Sequence, residues 1–513
     1  MLQIKKVALS IAFAMASTQV SASILPDHQV NSDWYQDAAA KLDAQVEQSP
    51  NIAAKNVVIF FANGMGPTTL TASRIHEGQL RGETGEENSL SFEHFPDMGL
   101  VKTYNTNQQV ADTAGSMTAM STGVKTKAGV IGLTDNIERG DCGIQDEKLH
   151  TLLELATHKG MATGIVSTGR VTHASVAPLY AHTSNRDWES SVSGECNGLV
   201  SDIAYQLVHE AAPLNVVLGG GSREFLPQSL DGRRAEGDLT QDWVERFGYN
   251  ASYLDSRDSF DSLDFSQADR VLGLFSDSHM SYEVDRDDEL EPSLSEMTEA
   301  ALELLSNNRR SQDNGFFLSV SASRIAHGHQ AGNAARALTE TISLSEAVEA
   351  TRTYLEQEGL LEETLILVAA DHSYTLSIAG YPKRGNPILG ISEVYDGQGL
   401  DGIVDTIDGP GYTTLGYANG PGAFVSRDNS GDRKDPSLDL PPNDNFDPMD
   451  PAVINYLQQA TVALDESTSA GEDVPVFAIG PRSYLVRGTS EQNSVFHVIN
   501  LAAELGAQPY QSK

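Results

Sequence analysis

Asn56-Val57-Val58-Ile59-Phe60-Phe61 stops at Asn63-Gly64-Met65-Gly66, and a helical stretch follows from about Thr68 to Glu77. A short β-branched and aromatic run closed by glycines and followed by a helix predicts a strand buried on both faces. Similar runs recur at Thr163–Ser167, Asn215–Leu218, Phe316–Val320, Leu365–Ala369 and Val474–Ala478. Periodic helical segments lie between them, including Ser293–Leu305, Ala334–Glu358 and Ser494–Leu505. Ser293 follows Pro292 and precedes Glu296 by three positions, a capping box at a helix start. Near-continuous apolar strands alternating with helices predict an α/β fold, a three-layer α/β/α sandwich around a mostly parallel sheet. The Gly-, Pro- and Asp-rich stretch at about 381–450 reads as a loop-rich insertion whose acidic end, 427–450, is solvated and mobile.

The chain has 513 residues, with 71 Asp plus Glu against 34 Lys plus Arg, for a formal net charge of −37. Such acidity argues against nucleic acid or an anionic membrane as partner. It fits a saline habitat or plain solubility, and any anion site must be a local positive patch. Lys5 and Lys6, the apolar run Val7–Ala16 and the small residues Val20-Ser21-Ala22 read as a signal peptide over residues 1–22. The tail 506–513 is polar and carries no lipid-anchor signal. A periplasmic or secreted protein without a membrane anchor is expected. Cys142 and Cys196 are the only cysteines. They read as a disulfide in an oxidising compartment, or as two buried thiols.

Parallel sheets bind ligands beyond the carboxyl ends of their strands. That rule singles out Asn63, Ser321 with Arg324, and the pair Asp371-His372. Asp-His at a strand end serves as metal ligands, a base pair or a local cap. The segment Asp112-Thr113-Ala114-Gly115-Ser116 sets a hydroxyl beside a carboxylate at the start of a small-residue helix, where backbone N–H groups favour an anion. Thr113 is then a helix cap or a nucleophile. Arg186 is a phosphate fork, or a surface partner of Asp187 or Glu189.

Together these residues resemble the alkaline phosphatase family, nearer its animal-type and marine bacterial members. The matching stretches include 57–66, 112–126, 163–188, 217–221, 273–303, 315–330, 370–373 and 471–487. The resemblance implies a phosphomonoesterase with two zinc ions and one magnesium, in which a serine attacks phosphorus and an arginine clamps phosphate. Thr113 takes the nucleophile position, Arg186 the clamp, and Asp371 and His372 two ligands of the zinc that activates the nucleophile. Asn63 stands where the family has an aspartate bridging that zinc and magnesium. Ser321 replaces a magnesium-ligating glutamate. Ala326, Gln330 and Ser469 replace all three protein ligands of the other zinc. His327 and His329 lie near without occupying a ligand position. His173 and Ser175 match the animal-type magnesium region, and Ser276 replaces a calcium-binding glutamate of those members. Cys142 and Cys196 match a cysteine pair of animal-type members.

Three carboxylates have become neutral at Asn63, Ser321 and Ala326, and the changes agree with one another. An emptied pocket would not tolerate unpaired buried carboxylates. At most one zinc is expected, at Asn63, Asp371, His372 and Thr113. Removing single transition-state stabilisers costs about a hundred- to thousand-fold each, so a strongly impaired or inactive relative is expected. The alternative is an active phosphomonoesterase or related ester hydrolase working with one residual metal and Thr113. The resemblance also implies a homodimer and phosphate or a phosphomonoester as ligand. The expected organisation is an N-terminal arm at 23–55, with 30–48 reaching a partner, a phosphatase-like domain at 56–505 and a tail at 506–513.

Overall fold

All seven residues of strand β1, Asn56–Ala62, are buried, so the strand needs neighbours on both edges and cover on both faces. In chain order the other strands of its sheet are β2 (Asp97–Lys102), β3 (Ala162–Arg170), β4 (Val216–Gly220), β5 (Ala251–Leu254) and β6 (Arg270–Leu274). The remaining four are β7 (Phe316–Ser321), β8 (Thr364–Ala370), β9 (Val474–Ile479) and β10 (Gly488–Glu491). The ten strands run in the order β10-β2-β9-β8-β1-β7-β3-β4-β6-β5. Only β9 is antiparallel to its neighbours β2 and β8; every other adjacent pair is parallel. The computed structural model describes residues 25–46, 52–394, 402–403, 412–422 and 454–506.

Helices cover the sheet in two layers, as expected. Pro67–Leu80, Leu294–Asn307 and Ala334–Gln357 form one, and Asp33–Val46, Thr113–Thr122, Leu152–Lys159 and Ser494–Ala503 the other. The box at Ser293 is present: its hydroxyl accepts from Glu296 N at 3.1 Å, and Glu296 accepts from Ser293 N at 2.7 Å. Strands β8, β1, β7 and β3 are consecutive and parallel, so their carboxyl ends open on one edge. Asp371, Asn63, Ser321 and Arg170 therefore come together from four distant parts of the chain.

Cys142 and Cys196 are bridged, their Cα atoms 5.0 Å apart. The bridge closes a satellite cluster of Val130, Leu133, Ile137, Ile144, Trp188 and Val200. The helix Asp33–Val46 sets Tyr35 and Leu42 in the main core and packs on the chain's own Ser494–Ala503 helix. The described part of the insertion forms short ladders, Glu393–Val394 with Gly402–Ile403, and Leu415–Gly420 between Leu376–Ile378 and Ala460–Ala463. Residues 1–22, 427–450 and 507–513, read above as signal peptide, acidic segment and tail, lie outside the described residues. Among the described residues no helix is long and apolar enough to cross a membrane.

Candidate active site

Asp112 caps the helix Thr113–Thr122 and also holds the arginine. Its Oδ1 accepts from Gly115 N and Asn105 Nδ2, both at 3.0 Å. Its Oδ2 accepts from Gly129 N at 3.0 Å and Arg186 Nη1 at 3.2 Å. Gly115 is needed here, because a Cβ would stand 2.5 Å from Asn105 Oδ1. The surface pairing of Arg186 does not occur: Asp187 pairs with Arg139, and Glu189 with Arg170 at 2.7 Å. Thr113, the first helical residue, places Oγ1 3.0 Å from His372 Nε2. His372 Nδ1 lies 3.2 Å from the Ser373 carbonyl, so the tautomer that donates there leaves Nε2 to accept from Thr113.

The strand-end pair is fully enclosed. Asp371 Oδ1 accepts from Gly64 N at 2.8 Å and His372 N at 2.9 Å, and Oδ2 accepts from Asn63 Nδ2 at 2.7 Å. Gly64 adopts φ 85°, and a Cβ there would stand 2.7 Å from the Tyr374 ring. Burial pushes the Asp371 carboxyl up, against the opposing pull of His372 and the backbone donors. Asn63 Oδ1 is buried with no partner.

The other positions singled out from the sequence divide into two groups. Ser321 joins a hydroxyl network in which Ser323 Oγ meets Ser321 Oγ at 3.0 Å, Ser167 Oγ at 2.9 Å and Ser175 Oγ at 2.8 Å. Ala326, Gln330 and Ser469 gather around Tyr374. Ala326 abuts Gly64 beside the Tyr374 ring, the Gln330 amide lies beside the Tyr374 side chain, and Ser469 pairs with Tyr374 in a short antiparallel ladder. Tyr374 is 4% exposed and stacks on His329 with centroids 5.2 Å apart. Both His329 nitrogens are engaged, Nε2 with Thr69 Oγ1 at 3.0 Å and Nδ1 with Tyr417 OH at 2.8 Å. Ser276 closes a tight turn onto the Ser278 carbonyl at 2.9 Å.

Three imidazoles cluster beside this network, each against a guanidinium. Arg186 Nη2 lies 3.2 Å from His173 Nε2, Arg170 Nη1 2.8 Å from His279 Nε2, and Arg324 Nη1 3.1 Å from His327 Nδ1. Ring centroids are 5.3 Å apart for His173–His279, 5.4 Å for His173–His327 and 4.1 Å for His279–His327. Burial and the neighbouring arginines push all three histidines down, His327 to about 3. His173 Nδ1 also meets Ser175 Oγ at 2.9 Å. The sequence reading missed Arg170, His279, Ser323 and Tyr374. Arg170 and His279 follow from the strand-end rule, once the end of β3 and the turn after β6 are inspected.

These donors do not fit three cations. Around Tyr374, Ala326, Gln330 and Ser469 offer a methyl, an amide and a hydroxyl, and around Ser323 the donors are neutral hydroxyls. Among the described residues no group of three or more His, Cys, Asp or Glu is arranged to hold a metal ion.

The family model for alkaline phosphatase matches residues 54–505. The chain is similar to the tissue-nonspecific alkaline phosphatase of Gallus gallus, at 37% identity over 95% of this chain and 92% of that one. Among solved structures it resembles the alkaline phosphatase of Thermus thermophilus (TM-score 0.62, 20% identity, covering 88% of this chain and 92% of that one). It also resembles that of the Antarctic bacterium TAB5 (TM-score 0.59, 21% identity, covering 88% and 99%).

Proposed function

This chain belongs to the alkaline phosphatase family, a lineage of phosphomonoester hydrolases, and on that premise we propose that it binds phosphate or phosphomonoesters but hydrolyses them feebly or not at all. The observation that carries this is the closed contact between Asn63 Nδ2 and Asp371 Oδ2 at 2.7 Å. Asn63 thus presents an N–H donor, not an oxygen ligand, to the carboxylate beside which a zinc would be held. Around Tyr374, Ala326, Gln330 and Ser469 supply no carboxylate or imidazole for a second zinc, which would leave a leaving oxygen without that Lewis acid. What persists is anion recognition: the guanidinium of Arg186, held by Asp112, beside the first turn of the helix at Thr113.

A second reading has its own support. Asn63 Oδ1 is buried without a partner, and turning that amide over would aim an oxygen beside Asp371 and His372. One zinc held there, with Thr113 as nucleophile, would give a slow phosphomonoesterase or related ester hydrolase. We read the protein as exported, periplasmic or secreted, and as a homodimer.

Turnover of p-nitrophenyl phosphate at alkaline pH, with zinc and magnesium in excess, separates the readings. The proposal expects a rate no higher than that of Thr113→Ala, while calorimetry detects phosphate binding. Robust turnover abolished by Thr113→Ala would overturn it in favour of the one-metal enzyme.

A further inference from the structure

Arg170, Arg186 and Arg324 are not equivalent. Arg170 is neutralised by Glu189 at 2.7 Å and Arg186 by Asp112 at 3.2 Å. Arg324 instead lies over the Tyr282 ring at 3.6 Å, touches His327 at 3.1 Å and keeps a buried Nε without a partner. No carboxylate pairs with it among the described residues. Glu340 and Glu291 lie in its field without pairing with it, and burial pushes the Glu340 carboxyl up to about 8. A half-buried guanidinium that stacks on a ring and an imidazole, with a buried N–H unsatisfied and no carboxylate in direct contact, gains from an anion that reaches it. Arg324, His327, His173 and His279 are all half-buried, so the row of rings leading from Arg186 to Arg324 opens to solvent. Because the two arginines meet different imidazoles, a tetrahedral oxyanion at Arg186 leaves Arg324 for another anionic group.

We propose that Arg324 with His327 forms a second anion-binding pole, so that the pocket selects a phosphomonoester whose alcohol part carries a further acidic group. This rests on the reading of Arg186 as the phosphoryl-binding end. No metal takes part, and neutral imidazoles supply the remaining hydrogen bonds.

Calorimetry on the full chain in the presence of chelator tests it with three probes. Glycerol 3-phosphate has no acidic group besides its phosphate, 3-phosphoglycerate adds a carboxylate, and glycerol 1,3-bisphosphate adds a phosphate. We expect the doubly acidic probes to bind about tenfold tighter, the worth of one charge-assisted hydrogen bond. The tighter of the two identifies the source of the second charge. Arg324→Gln should bring the ratio to near one, and Arg324→Lys should keep part of it, with an unchanged far-ultraviolet dichroism spectrum showing that both variants fold. Equal affinity for all three probes overturns the second pole and leaves the Arg186 reading standing. No binding of any probe overturns that reading, and the second pole with it.

Discussion

Asn63 donates its side-chain amide to Asp371 at 2.7 Å, at the ends of two adjacent parallel strands. An aspartate at position 63 would set two buried carboxylates against each other, Asn63 being 1% and Asp371 0% exposed. With chelator present, Asn63→Asp should destabilise the fold by roughly 3–5 kcal/mol, the cost of an uncompensated buried charge. Zinc should recover part of the loss in melting temperature. Turnover should stay near zero, because Ala326, Gln330 and Ser469 are unchanged. A large gain in hydrolysis from this one change would show that the wrong cation site was read as emptied.

Arg186 is the guanidinium that the Asp112 cap holds. Arg186→Ala should weaken inorganic phosphate binding by about tenfold or more. Asp112→Ala should act the same way more mildly while also lowering the melting temperature, since a lost cap costs about 1 kcal/mol. Unchanged phosphate affinity in both variants, read by calorimetry, would remove Arg186 from the site.

Glu340 gives a pH dependence with a definite sign. Its pKa is raised to about 8 in the folded chain by burial, so the folded state holds the proton that the unfolded state releases near the ordinary carboxylate value. Its contribution is therefore neutral in acid and increasingly unfavourable as pH rises from about 4.5 to 8. Glu340→Gln keeps an acceptor for Glu283 N and cannot ionise. The melting temperature of the variant should pull ahead of the parent across that window, with the gap constant above pH 8. Parallel curves would show that Glu340 ionises normally.

The Cys142–Cys196 bridge closes a separation of 54 residues, worth about 4 kcal/mol in the loop-entropy account. Reduction should lower the unfolding midpoint and alter Trp188 fluorescence first, because Trp188 packs in the cluster that the bridge closes. An unchanged Trp188 signal under reducing conditions would show that this cluster stands without it.

Much of this arrangement was legible in the chain itself. Apolar runs marked six strands of the sheet, and the strand-end rule picked out Asn63, Ser321, Arg324, Asp371 and His372. Asp112 beside Thr113 signalled the cap. Strands β2, β5, β6 and β10 were not read: β5 is only four residues and half-exposed, and β2 alternates buried with exposed positions, so neither presents an apolar run. The guanidinium–imidazole pairs were not legible, because each joins residues through packing rather than spacing. His279 reaches Arg170 across 109 positions. Tyr374 reads as one more aromatic in a strand, and only its contacts with Gln330, Ser469 and Gly64 reveal where it sits.

The account turns on how many cations the pocket can hold. Metal-free protein should be titrated with zinc and magnesium, bound metal counted after dialysis, and p-nitrophenyl phosphate turnover recorded on the same sample. The account predicts no more than one zinc per chain and a rate that does not rise with metal. Two zinc ions per chain with vigorous hydrolysis would contradict it.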